Sequence, residues 1–151
     1  TIICFYDLWK IETLKNWIES AKFKQLRFIE WVKTNPVPIN SKVNYLTNSR
    51  EIALTAIKGS KPTFHSQYDN GIYRFPICHE RDRFHPTQKP LNLLEELIKK
   101  HSNPDETVLD CFAGSGTTGV ACKNTNRNYI LIEKEPEYID IINKRLTNHN
   151  K

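Results

Sequence analysis

The chain has 151 residues, of which 38% are hydrophobic and 26% charged, a size and composition typical of one soluble globular domain. No apolar run approaches the length of a membrane span, and the apolar start lacks the features of a signal peptide. The net charge of +5 is compatible with a polyanionic partner but does not single one out. We therefore expect a single cytoplasmic domain over residues 1–151.

Cysteine and methionine usage gives two further expectations. The cysteines are Cys4, Cys78, Cys111 and Cys122, and none forms a Cys-x-x-Cys pair. We therefore expect reduced, mostly buried thiols without a disulfide or a zinc site. A chain that starts with Thr1 and contains no methionine is expected to be a fragment of a longer protein.

The first part of the chain predicts strands and one helix. Short apolar runs rich in β-branched and aromatic residues predict strands at residues 1–6, 26–32 and 50–57. A helix stays open as the alternative for 50–57, because Ala and Leu occur there. Ile11, Leu14 and Ile18 recur at helical spacing and predict a helix over 9–20. Two prolines predict a stiff loop over 33–38.

Residues 59–84 have a different character. Glycine and proline punctuate this segment, and polar, basic and aromatic side chains alternate in it. The pattern predicts a long functional loop or a small insertion rather than core.

From Pro90 onwards the pattern is that of an α/β protein. The expected elements are helix 90–101, strand 107–110, glycine turn 111–116, helix 117–123, strand 129–133 and helix 136–146. A strand, glycine turn, helix and strand in this order form the βαβ unit of doubly wound folds. We therefore expect a mostly parallel sheet.

The glycine turn fits the pattern G-x-G-x-x-G from Gly114 to Gly119 in the context that a dinucleotide-type fingerprint requires. Glu133 lies 19 residues after Gly114, where a carboxylate can accept hydrogen bonds from ribose hydroxyls. Asp110 precedes the turn and would repel a pyrophosphate, but it suits a ligand with a cationic amino-acid end and a sulfonium. This favours S-adenosylmethionine over a dinucleotide. The alternative is that the glycines only shape a turn and that Asp110 caps the helix.

Two motifs resemble those of bacterial and phage DNA methyltransferases that act on adenine N6 or cytosine N4. Residues 110–118, Asp-Cys-Phe-Ala-Gly-Ser-Gly-Thr-Thr, look like the cofactor motif of that family, with Cys111 where proline is usual. Residues 85–90, His-Pro-Thr-Gln-Lys-Pro, are similar to a second motif that precedes the first in the permuted (β) group. The resemblance implies a Rossmann-like, S-adenosylmethionine-dependent methyltransferase fold. The cofactor residues it implies are His85, Thr87, Lys89, Asp110, Phe112, Gly114, Ser115, Gly116, Thr117, Thr118 and Glu133.

Within this resemblance, Thr87 and Lys89 would hold the methionine carboxylate, and Phe112 and Glu133 would border the adenosine. Lys89 beside a helix that starts at Pro90 also forms a small anion site on physical grounds alone. For that stretch taken alone, a plain helix entry is the alternative.

Residues 28–38 resemble the strand and loop of these enzymes near the target base, and residues 48–57 resemble the strand that follows. The resemblance makes Lys33, Asn35 and Pro36 candidate DNA contacts, with core packing as the alternative role of the loop. The Asn-Pro pair favours adenine N6 as the target. The setting would then be site-specific DNA methylation of the restriction-modification type.

The catalytic tetrapeptide of the family, an acidic or polar residue followed by Pro-Pro and an aromatic residue, is not found, since no Pro-Pro occurs in the sequence. In the family it binds the amine of a flipped base. In the permuted order it is expected upstream of Thr1, so the fold should lack N-terminal strands and have a gap at its centre. The chain would then be a fragment of an active enzyme, half of a split enzyme completed by another polypeptide, or an inactive remnant.

Residues 59–84 are the candidate target-recognition insertion. Arg74, Arg81 and Arg83 could neutralise phosphates of double-stranded DNA or bind guanine edges, with a solvated basic loop as the alternative. Cys78, His79 and His85 lie close in sequence, but no second pair completes a metal site, so no metal is expected.

Two other classes remain open. A methyltransferase-like binding subunit would present cofactor or nucleic acid to another chain and needs no catalytic tetrapeptide. A nicotinamide-dependent oxidoreductase is favoured by the glycine pattern alone, and Asp110 argues against it.

Overall fold

The computed structural model describes residues 1–37 and 46–148, without the side chains of Glu80 and Asn148. Pro38, the last residue of the predicted stiff loop, lies outside them. Residue contacts divide the chain into an N-terminal unit, Thr1–Ile77, and a C-terminal unit, Cys78–Lys151. None of the described helices combines the length and apolar character that crossing a bilayer requires.

The N-terminal unit is a sheet with one helix. Its elements are β1 (Ile2–Tyr6), a 3-10 turn (Leu8–Lys10), α1 (Ile11–Ser20), β2 (Lys24–Lys33), β3 (Arg50–Ile57) and β4 (Ile72–Phe75). The spatial order is β1-β3-β2-β4. β3 is antiparallel to both β1 and β2, whereas β4 is parallel to β2. The expectation of a mostly parallel sheet is therefore wrong for this unit, whose sheet is mixed.

The core of this sheet follows from the spacing of its apolar residues. Leu14 and Ile18, one helical turn apart on α1, pack with Leu54 and Ala56 of β3. The open alternative for residues 50–57 is resolved in favour of a strand, because residues 52–55 each have register partners on both neighbouring strands.

β4 corrects the prediction that residues 59–84 contain no core. Tyr73 on this strand is 4% exposed and is the register partner of Trp31. Gly71 has φ +72°, and an added Cβ would lie 2.6 Å from the Phe28 carbonyl oxygen, so only glycine lets the chain approach β2 here. The Trp31 indole then donates to the Phe75 carbonyl at 2.9 Å.

The C-terminal unit contains the predicted βαβ arrangement. Its elements are a 3-10 turn (Glu80–Asp82), α2 (Leu91–His101), β5 (Thr107–Asp110), α3 (Thr117–Asn124), β6 (Asn128–Leu131) and α4 (Pro136–Asn148). β5 and β6 are parallel, as predicted. Ile98 of α2 packs with Ala121 and Cys122 of α3 in a buried cluster. Both strands end at the turn that carries the predicted cofactor motif.

The thiols are less buried than predicted. All four cysteines are free, but only Cys122 is buried, while Cys111 is exposed and Cys4 and Cys78 are half-buried. Burial raises the pKa of the Cys122 thiol to about 11. This thiol packs as a small apolar side chain.

Candidate functional site

The glycine turn connects β5 to α3 through backbone that only glycine adopts easily. Gly114 and Gly116 have φ +52° and +76°, and Gly116 is the N-terminal cap of α3. An added Cβ at Gly116 would lie 2.8 Å from Ile142 Cγ1, and one at Gly119 would lie 2.7 Å from Leu131 Cδ1. The second and third glycines of the pattern therefore let α3 pack closely against α4 and β6.

Asp110 ties the start of the turn to the helix that follows. Its Oδ1 accepts from the Phe112 N–H at 3.0 Å, and its Oδ2 accepts from the Thr118 hydroxyl at 2.6 Å. The side chain therefore bridges the turn, but it does not cap α3, whose N-cap Gly116 has no side-chain cap hydrogen bond. The Phe112 ring beside it is 91% exposed.

Glu133 lies just beyond β6, and its carboxylate is held by three backbone amides. Oε2 accepts from Gly114 at 2.7 Å, and Oε1 accepts from Lys134 at 2.8 Å and Glu135 at 3.0 Å. These hydrogen bonds, that from Glu135 first, lower the pKa of Glu133 below its ordinary value because they stabilise the charged form. Glu133 therefore links β6 to the glycine turn.

The lowered pKa of Glu133 predicts a dependence of stability on pH. A depressed folded-state pKa adds stability that is present above the unfolded pKa and is lost as pH falls through the folded value. We expect Glu133→Gln to lower the free energy of unfolding at neutral pH, and we expect the difference from wild type to shrink below the ordinary carboxyl pKa of 4.5. Urea unfolding across this range measures the effect, with Glu137→Gln on α4 as the matched control. A difference that stays constant with pH would contradict the assignment.

The segment 85–89 lies directly against the glycine turn. An added Cβ at Gly114 would be 3.6 Å from His85 Cδ2, and the His85 ring packs on Tyr138 of α4 with 4.6 Å between centroids. Within the segment, the Thr87 N–H donates to His85 Nδ1 at 3.2 Å and Lys89 Nζ donates to the Thr87 carbonyl at 3.2 Å. The structure therefore brings the two sequence motifs together.

Two residues that the sequence did not single out connect these motifs. Gln88 Oε1 accepts from the Ser115 hydroxyl at 2.8 Å, and Arg145 Nη1 donates to the Ser115 carbonyl at 2.6 Å and to Thr117 Oγ1 at 3.1 Å. Gln88 could have been found because it lies inside the second motif. Arg145 belongs to a helix whose sequence predicts only an amphipathic surface, so no sequence signal marked it.

The candidate DNA-contacting residues differ in whether their side chains already make contacts within the protein. Lys33 Nζ lies 3.0 Å from Glu51 Oε1 with a 12% exposed side chain, and Asn35 Oδ1 accepts from the Ile77 N–H at 2.7 Å. Pro36 is half-buried. In contrast, Arg74 of the N-terminal unit and the pair Arg81 and Arg83 of the C-terminal unit are exposed.

A metal centre finds no support in the part of the chain that the structure describes. No group of three or more His, Cys, Asp or Glu side chains gathers there in an arrangement that could hold an ion. Cys78 is instead hydrogen-bonded, with its Sγ 3.7 Å from the Gln88 carbonyl oxygen.

Comparison of the sequence with known proteins identifies relatives along almost all of the chain. A DNA methylase family model, N6_N4_Mtase, matches residues 1–144. The type II methyltransferase M2.MboI of Moraxella bovis is 38% identical over 149 residues, which cover 89% of this chain and 54% of that protein. M2.DpnII of Streptococcus pneumoniae is 37% identical over 149 residues, with 89% and 55% covered. The chain thus spans about half the length of these curated relatives.

Solved structures show the same relationship. The M1.HpyAVI–SAM complex matches with a TM-score of 0.84 and 38% identity, covering 95% of this chain and 72% of that one. The cytosine-N4-specific PvuII DNA methyltransferase matches with a TM-score of 0.78 over 96% of this chain and 59% of that one, and at 19% identity it shows the fold alone. These matches confirm the expected methyltransferase fold. Together with the family model over residues 1–144, they show that the chain belongs to the DNA methylase family.

Proposed function

We propose that this chain forms the cofactor-binding part of a site-specific DNA methyltransferase that uses S-adenosylmethionine, with adenine N6 as the favoured target. The observation that carries the proposal is the hydrogen bonding of the glycine turn. Four of the backbone amides in residues 111–116 donate internally, whereas the two carboxylates that border the turn keep unused acceptor positions. Such a site suits a cationic ligand with hydroxyl groups better than it suits a phosphate.

The amides of the turn discriminate between the two candidate cofactor classes. Four of them donate internally, from Phe112 to Asp110, Ala113 to the Ile132 carbonyl, Gly114 to Glu133 and Gly116 to the Ala113 carbonyl. A pyrophosphate bound at a glycine turn needs such N–H groups as free donors. A nicotinamide dinucleotide is therefore disfavoured here, in agreement with the charge of Asp110.

The carboxylates of Asp110 and Glu133 have enough unused hydrogen-bond acceptor positions to bind S-adenosylmethionine. A carboxylate offers about four acceptor positions, and the internal hydrogen bonds use two of these at Asp110 and three at Glu133. The remaining positions can accept from an ammonium group at Asp110 and from a ribose hydroxyl at Glu133. When bound, the cofactor supplies a methyl group on a sulfonium for transfer to an exocyclic amine.

Other side chains of the C-terminal unit complete the proposed site. The exposed Phe112 ring offers a flat apolar surface to an adenine, and the Lys89 ammonium, held at the Thr87 carbonyl, offers positive charge to a carboxylate. Ser115 and Thr117 are buried, and their contacts with Arg145 connect the turn to α4. His85, packed beside Gly114, limits the width of the site.

We further propose that another segment, carrying the catalytic tetrapeptide, completes the sheet of the C-terminal unit. Within the described residues β5 pairs with β6 alone, which leaves one edge of a short parallel strand without a partner. Leu109 and Ile130 on these strands are 56% and 53% exposed. Parallel strands are normally paired along their edges and covered on both faces, so the open edge fits an added strand and the exposed face fits a covering element of the same segment. The type II relatives favour a restriction-modification setting.

Calorimetric titration of the purified chain with S-adenosylmethionine, and separately with NADH, tests the cofactor assignment. We expect saturable one-to-one binding of the former and none of the latter. Circular dichroism on the same sample establishes that the chain is folded. A folded chain that prefers NADH, or that binds neither compound, would contradict the proposal. Mass spectrometry of nucleosides from cells that express the whole reading frame tests adenine N6 against cytosine N4.

The proposed DNA partner gives a further prediction. Arg81→Gln/Arg83→Gln should weaken binding to a mixed-sequence duplex and reduce the slope of log affinity against log salt by about 2, because each arginine releases about one counterion. Fluorescence anisotropy at several salt concentrations measures both quantities. Lys99→Gln/Lys144→Gln removes the same charge from exposed positions on helices of this unit and should change neither. Equal effects of the two double variants would contradict a local contact.

A further inference from the structure

The glycine turn is anchored from two sides through Ser115. This residue is 3% exposed, so its polar groups depend on protein partners. Its hydroxyl donates to Gln88 Oε1 at 2.8 Å, and its carbonyl accepts from Arg145 Nη1 at 2.6 Å. The partners come from the segment before α2 and from α4. One buried turn residue therefore connects two parts of the unit that are far apart in sequence.

Gln88 fixes the conformation of the segment to which it belongs as well as contacting the turn. Its Nε2 donates to the Asp82 carbonyl at 2.8 Å, and its Oε1 also accepts from the Phe84 N–H at 3.0 Å. The backbone N–H of Gln88 donates to the His85 carbonyl at 3.1 Å. The Gln88 side chain thus connects Ser115 to the backbone of Asp82 and Phe84.

Arg145 supplies the second anchor from a half-buried position. Its guanidinium lies 5.0 Å from the centroid of the Phe84 ring and donates to Thr117 Oγ1 as well as to Ser115. Burial lowers the pKa of Arg145 from its ordinary value. Nη1 also donates to the Ser115 hydroxyl at 3.2 Å, so this one terminal nitrogen contacts the Ser115 carbonyl, the Ser115 hydroxyl and the first residue of α3.

We propose that Gln88 and Arg145 are positioning residues, which hold the glycine turn and segment 85–89 in the relative arrangement that the cofactor requires. The inference rests on the proposed function, since both motifs are assigned there to one ligand. Gly114 and Gly116 leave the turn backbone intrinsically free, and side-chain anchors restrict that freedom before binding. Neither residue needs to touch the ligand in order to raise the affinity of the site for it.

Arg145→Ala tests the proposal against a matched control. Arg127 is also half-buried in this unit and donates to the Ser102 hydroxyl at 3.1 Å, to the Ser102 carbonyl at 2.7 Å and to the Thr125 carbonyl, all away from the turn. We expect Arg145→Ala to weaken S-adenosylmethionine binding about tenfold, the loss typical of a charge-assisted hydrogen bond. Arg127→Ala should leave the affinity of the folded chain within about twofold of wild type. It should lower the free energy of unfolding about as much as Arg145→Ala does.

Two further measurements separate positioning from a general structural role. Arg145→Lys keeps a cationic donor and should recover most of the lost affinity. Hydrogen exchange of the amides from Phe112 to Thr118 should accelerate in Arg145→Ala but not in Arg127→Ala. If Arg145→Ala does not fold, Gln88→Met, which has a similar shape but cannot donate to Asp82 or accept from Ser115, should still weaken binding several-fold.

The outcomes distinguish this inference from the function on which it rests. A folded wild-type chain without affinity for S-adenosylmethionine would overturn the proposed function itself. A wild-type chain that binds, with Arg145→Ala and Gln88→Met binding equally well, would overturn the positioning role alone. Equal losses of affinity in Arg145→Ala and Arg127→Ala would also overturn it, because the effect would then follow stability rather than the turn.

Discussion

Gly116→Ala is expected to destabilise the C-terminal unit by about 2–4 kcal/mol, more than alanine at either neighbouring glycine of the pattern. Two independent costs combine at this position. The φ of +76° is unfavourable for a residue with a Cβ, and the added atom would lie 2.8 Å from Ile142 Cγ1 and 3.3 Å from Ile142 Cβ. Rotation of the Ile142 side chain can move Cγ1 away, but Ile142 Cβ is fixed to the backbone of α4, so its 3.3 Å contact is relieved only by a shift of that helix.

The other two glycines provide controls that each carry one of these costs. Gly114→Ala has a left-handed φ, but its nearest neighbour, His85, is at an ordinary contact distance of 3.6 Å. Gly119→Ala lies inside α3 and meets the mobile ends of Leu131 and Leu146, while alanine improves helix propensity. We expect Gly114→Ala to cost about 1–2 kcal/mol and Gly119→Ala about 1 kcal/mol or less.

Urea unfolding followed by far-ultraviolet circular dichroism measures these differences, since the C-terminal unit contains α2, α3 and α4. The tryptophans, Trp9, Trp17 and Trp31, all belong to the N-terminal unit, so their fluorescence serves as an internal reference. If Gly119→Ala were as destabilising as Gly116→Ala, the left-handed conformation would contribute nothing, and helix packing alone would explain the glycine pattern.

Local patterns predicted most of the fold. The apolar spacing of α1 and α2 and the short β-branched run of β5 are visible without tertiary information, and their boundaries agree within a few residues. β4 was not predicted from local patterns because its four residues pair with β2, which is distant in sequence. Tyr73 of β4 and its register partner Trp31 of β2 are 42 positions apart. Gly71 and Pro76 on either side of an alternating Ile-Tyr-Arg-Phe run were an available signal that was interpreted as a loop.

The sheet direction was wrongly predicted for a related reason. The βαβ unit around Gly114 does specify parallel pairing of β5 and β6, and the structure confirms it. The same rule does not hold for the N-terminal strands, where the residues that the structure describes between β2 and β3 form no helix. Strands joined without a crossover helix pair antiparallel, as β2 and β3 do.

The candidate site was predictable as a set of residues but not as a hydrogen-bond network. Sequence context placed Asp110, Gly114 and Glu133 around one turn, because the ends of parallel strands meet at one edge of a sheet. That Glu133 would accept from the Gly114 amide could not be anticipated, since it depends on how the chain leaves β6. The role of Arg145 could not be predicted for the same reason, because it depends on which face of α4 packs against the glycine turn.

Asp110→Asn and Asp110→Ala should both reduce the affinity for S-adenosylmethionine, by about tenfold and about a hundredfold respectively. The asparagine can still accept from the Phe112 N–H, which lies 3.0 Å from Oδ1, but it carries no charge to offer a cationic ligand. The alanine removes the charge and also both internal hydrogen bonds, so it loosens the turn as well. Calorimetric titration of each folded variant measures the two contributions.

Thr118→Val separates the charge of Asp110 from its role in bridging the turn. This change removes the 2.6 Å hydrogen bond to Asp110 Oδ2 but leaves the carboxylate in place. If the charge recognises the ligand, affinity should stay within about threefold of wild type, although the free energy of unfolding falls by about 1 kcal/mol. If Asp110→Asn bound as tightly as wild type while Thr118→Val lost affinity, Asp110 would act only by shaping the turn. The preference for a cationic cofactor would then rest on the internally bonded amides of the turn alone, because the charge argument would no longer hold.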